Sequence, residues 1–147
     1  NAFLLELQKI PQPILDAFNE NGWTFVIGTE YLTELSRKLG VNCIGAAVYT
    51  EKRIYVSEAS AVLHEFGHFL DCTMGFPQEH KDLYALEAAS APMKQHAKSN
   101  SLEYFAEFFA YWCSGNTRTL EQLKELTPET YAYFDGLSSA WTEAVCD

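Results

Sequence analysis

Val62-Leu63-His64-Glu65-Phe66-Gly67-His68-Phe69-Leu70-Asp71 places two histidines four residues apart inside an otherwise apolar run. In a helix, residues i and i+4 lie on one face a turn apart, so His64 and His68 can grip one metal ion from the same side. Glu65, offset around the helix, can reach a water on that ion. Zinc suits such a pair: imidazole nitrogens bind it at roughly 2.0–2.1 Å, and a catalytic site combines three protein ligands with an open position. Zinc lowers the pKa of a bound water to about 7, so a carboxylate can deprotonate it for attack on a peptide carbonyl. Taken alone, His-Glu-x-x-His arises by accident and would mean a helix with two surface histidines. Here the motif lies well inside an expected helix, directly after a strand, with a candidate third ligand downstream.

Working outward, the helix should run from Ser57 to Thr73. Ser57 is placed to cap it, Glu58 suits the positive end of its dipole, and Gly75 lies just past its end. Before it, Ala46–Thr50 and Arg53–Ser57 read as a hairpin turning around Glu51-Lys52. Trp23–Ile27 is rich in β-formers and should be another strand. Two helices are expected further upstream and between: Pro13–Asn19, ended near Asn21-Gly22, and Tyr31–Leu39, closed by Gly40. Beyond Thr73 the chain reads as mostly helical, with breaks near Pro77, Pro92, Gly115 and Pro128. The fold class is therefore α+β, a small sheet and hairpin followed by a mostly helical C-terminal half. With no linker, repeat or low-complexity stretch, residues 1–147 are expected to form one domain.

The third metal ligand must come from elsewhere. Ser101–Cys113 (SLEYFAEFFAYWC) is apolar nearly all round, as a buried helix is, with Leu102, Phe105, Phe109 and Trp112 expected on its core face. Glu103 and Glu107 share another face. Buried carboxylates are costly unless paired or bound to metal, so one of the two can ligate while the other holds a ligand imidazole in place. Cys72, one turn beyond His68, is a rival ligand, but its place at the helix end suits a structural role better. His80, in the polar stretch QEHKD, is expected to be solvated.

Composition bounds the remaining possibilities. A chain of 147 residues with 48% hydrophobic and 14% aromatic content can bury a sizeable core. No run is apolar and long enough to cross a bilayer. The net charge of −10 makes nucleic acid an unsuitable partner, since phosphate binding needs clustered Lys and Arg; the bulk charge serves solubility first. Cys43, Cys72, Cys113 and Cys146 permit two disulfides, which would suit an exported protein, or four reduced thiols. The absence of a CxxC pair disfavours a cysteine-only zinc site. The chain opens at Asn1 without a methionine, which reads as a processed or trimmed product.

His64–Asp71 (HEFGHFLD) followed by Asn100–Phe109 (NSLEYFAEFF) resembles the catalytic domain of anthrax lethal factor and its relatives, which include the clostridial Pro-Pro endopeptidases. The preceding hairpin, Gly45–Glu58 (GAAVYTEKRIYVSE), is similar too. The resemblance implies a zincin-like fold and a secreted zinc endopeptidase. It implies His64, His68 and Glu103 as zinc ligands, Glu65 as general base, and Glu107 and Asp71 as residues that hold the ligands from behind. The family usually carries an oxyanion-steadying tyrosine seven residues before the glutamate ligand. That position here is His96, whose imidazole could donate the same hydrogen bond; Tyr84 and Tyr104 are the alternatives. Family members lay peptide along the edge strand beside the active-site helix, which here implicates Ala46, Ala47, Val48 and Tyr49, or their hairpin partner.

These readings converge on a monomeric enzyme that cuts a protein or peptide, with Zn2+ as cofactor. Two alternatives remain. Toxins of this kind also carry related domains that have lost the zinc motif and bind partners instead. A regulatory intracellular peptidase of another His-Glu-x-x-His lineage would share the first motif.

Overall fold

The computed structural model describes the backbone of residues 1–143 and the side chains of residues 1–141. Among these residues the order is α1 (Ala2–Leu7), α2 (Gln12–Glu20), β1 (Thr24–Ile27), α3 (Glu30–Leu39), β2 (Gly45–Val48), β3 (Arg53–Val56), α4 (Val62–Thr73), α5 (Gln78–Glu87), α6 (Ser101–Ser114), α7 (Thr117–Leu126) and α8 (Pro128–Glu143). The architecture is α+β and mostly helical. Short 3-10 turns precede α4 and fill the stretch between α5 and α6.

Local chemistry sets most of these boundaries. Pro11 and Pro77 stand just before α2 and α5, where a missing N–H costs nothing. The Asn100 and Asn116 side chains accept from the Glu103 and Thr119 N–H groups and so cap α6 and α7. Gly40 and Gly115 close α3 and α6 in the left-handed conformation at φ 72° and 70°. At the end of α4, Phe76 N–H donates to the Asp71 carbonyl and Gly75 N–H to the Cys72 carbonyl, the paired bonds of a Schellman turn.

The sheet has the order β1-β3-β2. β1 runs parallel to β3, with Phe25 opposite Ile54, and β2 runs antiparallel to it, with Ala46 opposite Tyr55. β3 is thus the central strand, and Ile54, Tyr55 and Val56 are buried. Its hydrogen-bonding edges are both taken. Of the hairpin's two strands only β2 has a free edge, so the hairpin partner drops out as a strand for added peptide. β2 also stops at Val48, leaving Tyr49 and Thr50 in the turn.

Helix α4 runs through the core. Val62, Leu63, Phe66, Phe69 and Leu70 are buried along it. Phe66 and Phe69 pack on Phe18 at centroid distances of 4.8 and 5.1 Å, fastening α2 to α4. A second aromatic group, Phe105, Phe108 and Phe134, joins α6 to α8. α4 and α6 make the closest helix pair, and Gly67 is the reason. A Cβ at Gly67 would lie 2.6 Å from Ala106 Cα, so the missing side chain lets the two backbones touch.

Three expectations need correction. Ser57 does not cap α4: a 3-10 turn over Ala59–Ala61 intervenes, α4 starts at Val62, and the Ser57 hydroxyl donates to the Ile44 carbonyl instead. Glu58 accordingly precedes that short turn and not α4. The buried face of α6 is Tyr104, Phe105, Ala106, Phe108 and Phe109; Leu102 and Trp112 are only half-buried. Contact with Gly67 fixes the rotation of α6, and apolar spacing alone does not reveal it. Of the two states left open for the cysteines, Cys43, Cys72 and Cys113 take the free-thiol one; Cys146 lies outside the described residues.

Candidate metal centre

His64 and His68 leave α4 on the side facing α6, and Glu103 and Glu107 leave α6 towards them. One ligand atom each from His64, His68 and Glu103 lies within 4.8 Å of the others, a group that could hold a metal ion. Glu103 Oε2 is the focus: it is 2.7 Å from His68 Nε2 and 3.3 Å from His64 Nε2. Two imidazole nitrogens and one carboxylate oxygen form the donor set of many catalytic zinc sites, and all three residues are partly or wholly buried. Cys72 stands apart from this group, and burial raises its thiol pKa above the usual range. That agrees with a structural place at the end of α4.

The outer edge of each ring has its own partner. His64 Nδ1 is 3.2 Å from Glu107 Oε1, so Glu107 holds that imidazole from behind. His68 Nδ1 is 3.4 Å from the Tyr49 hydroxyl. Sequence reasoning put Tyr49 on the substrate strand and missed this contact. A phenol at the turn end of β2 gives no sequence signal for a histidine 19 residues on.

Asp71 takes a different partner. It is buried, and its carboxylate meets His80 Nδ1 at 2.8 Å, so its hydrogen bond goes to His80 and not to the His64 or His68 ring. His80 is itself buried, which overturns its reading as a solvated loop residue. It lies in the first turn of α5, stacks on Phe105 at 4.0 Å, and meets the Tyr133 hydroxyl with Nε2 at 2.7 Å. The Asp71–His80–Tyr133 chain ties α4, α5 and α8 together behind the centre. Both alternative tyrosines are occupied elsewhere: Tyr84 donates to the Lys98 carbonyl, and buried Tyr104 pairs with Thr130. His96 is highly exposed, and its Nε2 sits 3.1 Å from Glu103 Oε1, the oxygen turned away from the two other histidines.

Electrostatics follow from this crowding. Burial lowers the pKa of His64, but hydrogen bonds that its ring donates to Glu103 and Glu107, with the charge of Glu65, outweigh it, so the imidazole is raised to about 10. Glu103 is held well below the usual carboxylate range: burial acts against this, and the His64 and His68 hydrogen bonds prevail. Glu65 is raised, chiefly by burial, with the two histidines opposing. Glu65 is 7% exposed, and it needs Gly45 beside it. A Cβ at Gly45 would fall 2.8 Å from Glu65 Oε2.

A cleft of about 340 Å³ opens over these groups, lined on one wall by Gly45, Ala46, Ala47 and Tyr49 and on the other by His96, Asn100 and Leu102. Glu65, His68 and Glu103 form its floor. A second cavity, about 500 Å³, continues past Glu65 and Glu103 towards Val41–Ile44 and Lys94. Val48 is absent from both linings.

The family model for the anthrax toxin lethal factor, N- and C-terminal domain, matches residues 30–137. The chain belongs to the anthrax lethal factor family. Its matched region runs from α3 into α8 and so takes in the hairpin, α4 and α6. No curated protein matches the chain. The lethal factor family is toxin-related by description, and because that description covers both terminal domains of the toxin, the chemistry of this member rests on its site. No helix among the described residues is long and apolar enough to cross a membrane.

Proposed function

We propose that this chain is a zinc-dependent endopeptidase with a zincin-like fold, acting as a single domain on a protein or peptide. The observation that carries the reading is the convergence of His64, His68 and Glu103 ligand atoms within 4.8 Å, beside a buried carboxyl at Glu65. An accidental motif would leave the two histidines on a surface without a carboxylate from another helix.

In this reading His64, His68 and Glu103 hold the zinc. When bound, the ion supplies a Lewis acid that polarises the scissile carbonyl and makes a water acidic enough to lose a proton near neutral pH. Glu107 accepts from His64 Nδ1–H and fixes which nitrogen faces the ion. Glu65 takes a proton from the attacking water and returns it to the departing amine, and burial favours this by raising its proton affinity. His96, exposed at the rim, leaves Glu103 Oε1 to donate to the carbonyl oxygen as charge develops there. Asp71 acts at one remove, fixing the end of α4 through His80.

The free edge of β2 binds the substrate backbone. An extended peptide adds as a further strand, its amides pairing with Ala46 and Ala47, while side chains enter the cavities on either side of Glu65. Val48 and Tyr49 continue that edge towards the turn. Membership of a toxin-related family supports export, and the exported chain would act as a monomer. The reading as a catalytically silent binding domain is the weaker one, because each group the hydrolysis needs is present.

The test is a pair of variants. Glu65→Gln should keep one zinc per chain and lose peptide cleavage, whereas His68→Ala should lose both. Cleavage by Glu65→Gln at the parent's rate would remove Glu65 from the reaction. A zinc-free parent after reconstitution would remove the reaction altogether. Screening a randomised peptide library with zinc-loaded protein identifies the preferred sequence.

A further inference from the structure

His68 presents its two nitrogens to different surroundings. Nε2 faces Glu103 Oε2 at 2.7 Å, while Nδ1 faces the Tyr49 hydroxyl at 3.4 Å. An imidazole that gives the Nε2 lone pair to a cation carries its proton on Nδ1. That N–H donates towards Tyr49, which fixes the phenol oxygen as the acceptor. The phenol's own proton must then be donated elsewhere.

Among the described residues the Tyr49 hydroxyl makes no hydrogen bond besides the one to His68. The cleft offers one direction. Tyr49 lines the cleft together with Gly45, Ala46 and Ala47, one residue beyond the end of β2, so its hydroxyl stands beside the edge on which a peptide would lie. The ring is fixed independently of the cleft. It packs edge-on against Trp23 at 6.4 Å and Phe76 at 5.3 Å, and Phe76 is itself held by the turn that closes α4.

We propose that Tyr49 is a positioning residue that links His68 to the substrate: its hydroxyl accepts from His68 Nδ1–H and donates to a backbone carbonyl of the peptide added to β2. The inference rests on the zinc-peptidase reading and extends it, giving the edge strand a side-chain donor beside its backbone groups. It also gives His68 the same support from behind that Glu107 gives His64. The ligand class is an extended peptide recognised through its main chain, so this contact is indifferent to substrate side chains.

Tyr49→Phe keeps the ring against Trp23 and Phe76 and removes only the hydroxyl. Zinc affinity is measured with the metal alone, by competition against a chromogenic chelator. Steady-state kinetics use the peptide that the parent cleaves fastest in a randomised library. The expected results are zinc binding about tenfold weaker, by analogy with other groups that support a metal ligand, and KM raised about tenfold with kcat nearly unchanged at saturating zinc. A packing role would move neither, because the ring remains. Tyr49→Phe with the parent's zinc affinity and KM overturns the inference and leaves the zinc-peptidase reading intact. A parent that binds no zinc overturns both. A parent that binds zinc and cleaves no library peptide overturns the peptidase reading, and the substrate half of the inference with it.

Discussion

Gly67 and Ala106 are in backbone contact: a Cβ on Gly67 would stand 2.6 Å from Ala106 Cα and 2.8 Å from the Ala106 carbonyl oxygen. This contact sets the spacing of α4 and α6, and therefore the distance between His64 and His68 on one helix and Glu103 and Glu107 on the other. Two opposing effects meet in Gly67→Ala. Intrinsic helix propensity favours alanine by about 1 kcal/mol. Overpacking against backbone, which cannot rotate away, costs about 1–3 kcal/mol or more. The expected outcome is net destabilisation in urea unfolding, together with weaker zinc binding as the helices part. A Gly67→Ala protein more stable than the parent would mean that the helices separate freely and that their spacing does not depend on this glycine.

Gly45→Ala probes the other close approach at the site. The added methyl meets Glu65 Oε2 at 2.8 Å and Ala61 Cβ at 2.9 Å. The Glu65 carboxylate can swing aside, but the Ala61 methyl is fixed to its backbone, so the stability loss should be about 1–3 kcal/mol, the range for overpacking. The displaced carboxylate should lower kcat about tenfold or more, since small misplacements of catalytic groups are costly. Zinc content should stay at the parent's level, as measured by elemental analysis beside the kinetics. Loss of zinc in Gly45→Ala would show that strand β2 supports the ligands and not only Glu65.

Glu103 and Glu107 are expected to differ in kind. Glu103 Oε2 approaches both histidines on their Nε2 side, whereas Glu107 meets only His64 Nδ1. Glu103→Ala should abolish zinc retention through dialysis. Glu107→Ala should weaken it about 10–100-fold, the usual effect of removing a group behind a ligand. Competition with a chelator orders the two, and the reverse order would exchange their roles.

Much of this site was legible because its signals are local. His64, Glu65 and His68 sit within one and a half turns of a helix, Gly40 and Gly115 end their helices where left-handed caps are needed, and Glu103 and Glu107 share a face of an apolar helix. What could not be read depends on distant partners. His80 looks solvated in QEHKD, yet it is buried by Phe105 and satisfied by Tyr133, 53 residues further on. The rotation of α6, which buries Phe108 and leaves Leu102 in the cleft, follows from the contact at Ala106 and leaves no trace in apolar spacing. Ser57 has the chemistry of a cap, but the Ile44 carbonyl competes for its hydroxyl.

The buried chain behind the centre should matter for folding more than for metal. Asp71 and His80 are nearly inaccessible and hydrogen-bonded to each other, and removing one partner strands the other. His80→Ala should therefore cost about 2–4 kcal/mol, from the orphaned carboxylate and the lost stacking on Phe105. The folded fraction of the protein should still bind zinc with nearly the parent's affinity. Urea unfolding of the metal-free variant measures the first, and chelator competition well below the unfolding midpoint measures the second. Zinc affinity reduced as strongly as in Glu107→Ala would mean that the Asp71–His80 link supports the metal ligands as well as the fold.

Proton linkage at His64 gives the metal-free protein a characteristic pH dependence. The imidazole is raised from its ordinary value of 6.5 to about 10 by Glu103 and Glu107, so the folded state holds a proton that the unfolded state releases near 6.5. The resulting stabilisation is fully present below about pH 6.5, declines as pH rises, and is gone above about pH 10. The Tm of metal-free protein should fall across that window, and Glu103→Gln/Glu107→Gln should flatten the slope because the charge partners are gone. Zinc competes for the same nitrogen. At pH 8 its binding must therefore expel the His64 proton, which calorimetry in buffers of different ionisation enthalpy detects as about one proton released per zinc. A binding enthalpy independent of buffer at pH 8 would mean that His64 is already neutral in the metal-free site, and that its contacts with the two glutamates are not charge-assisted.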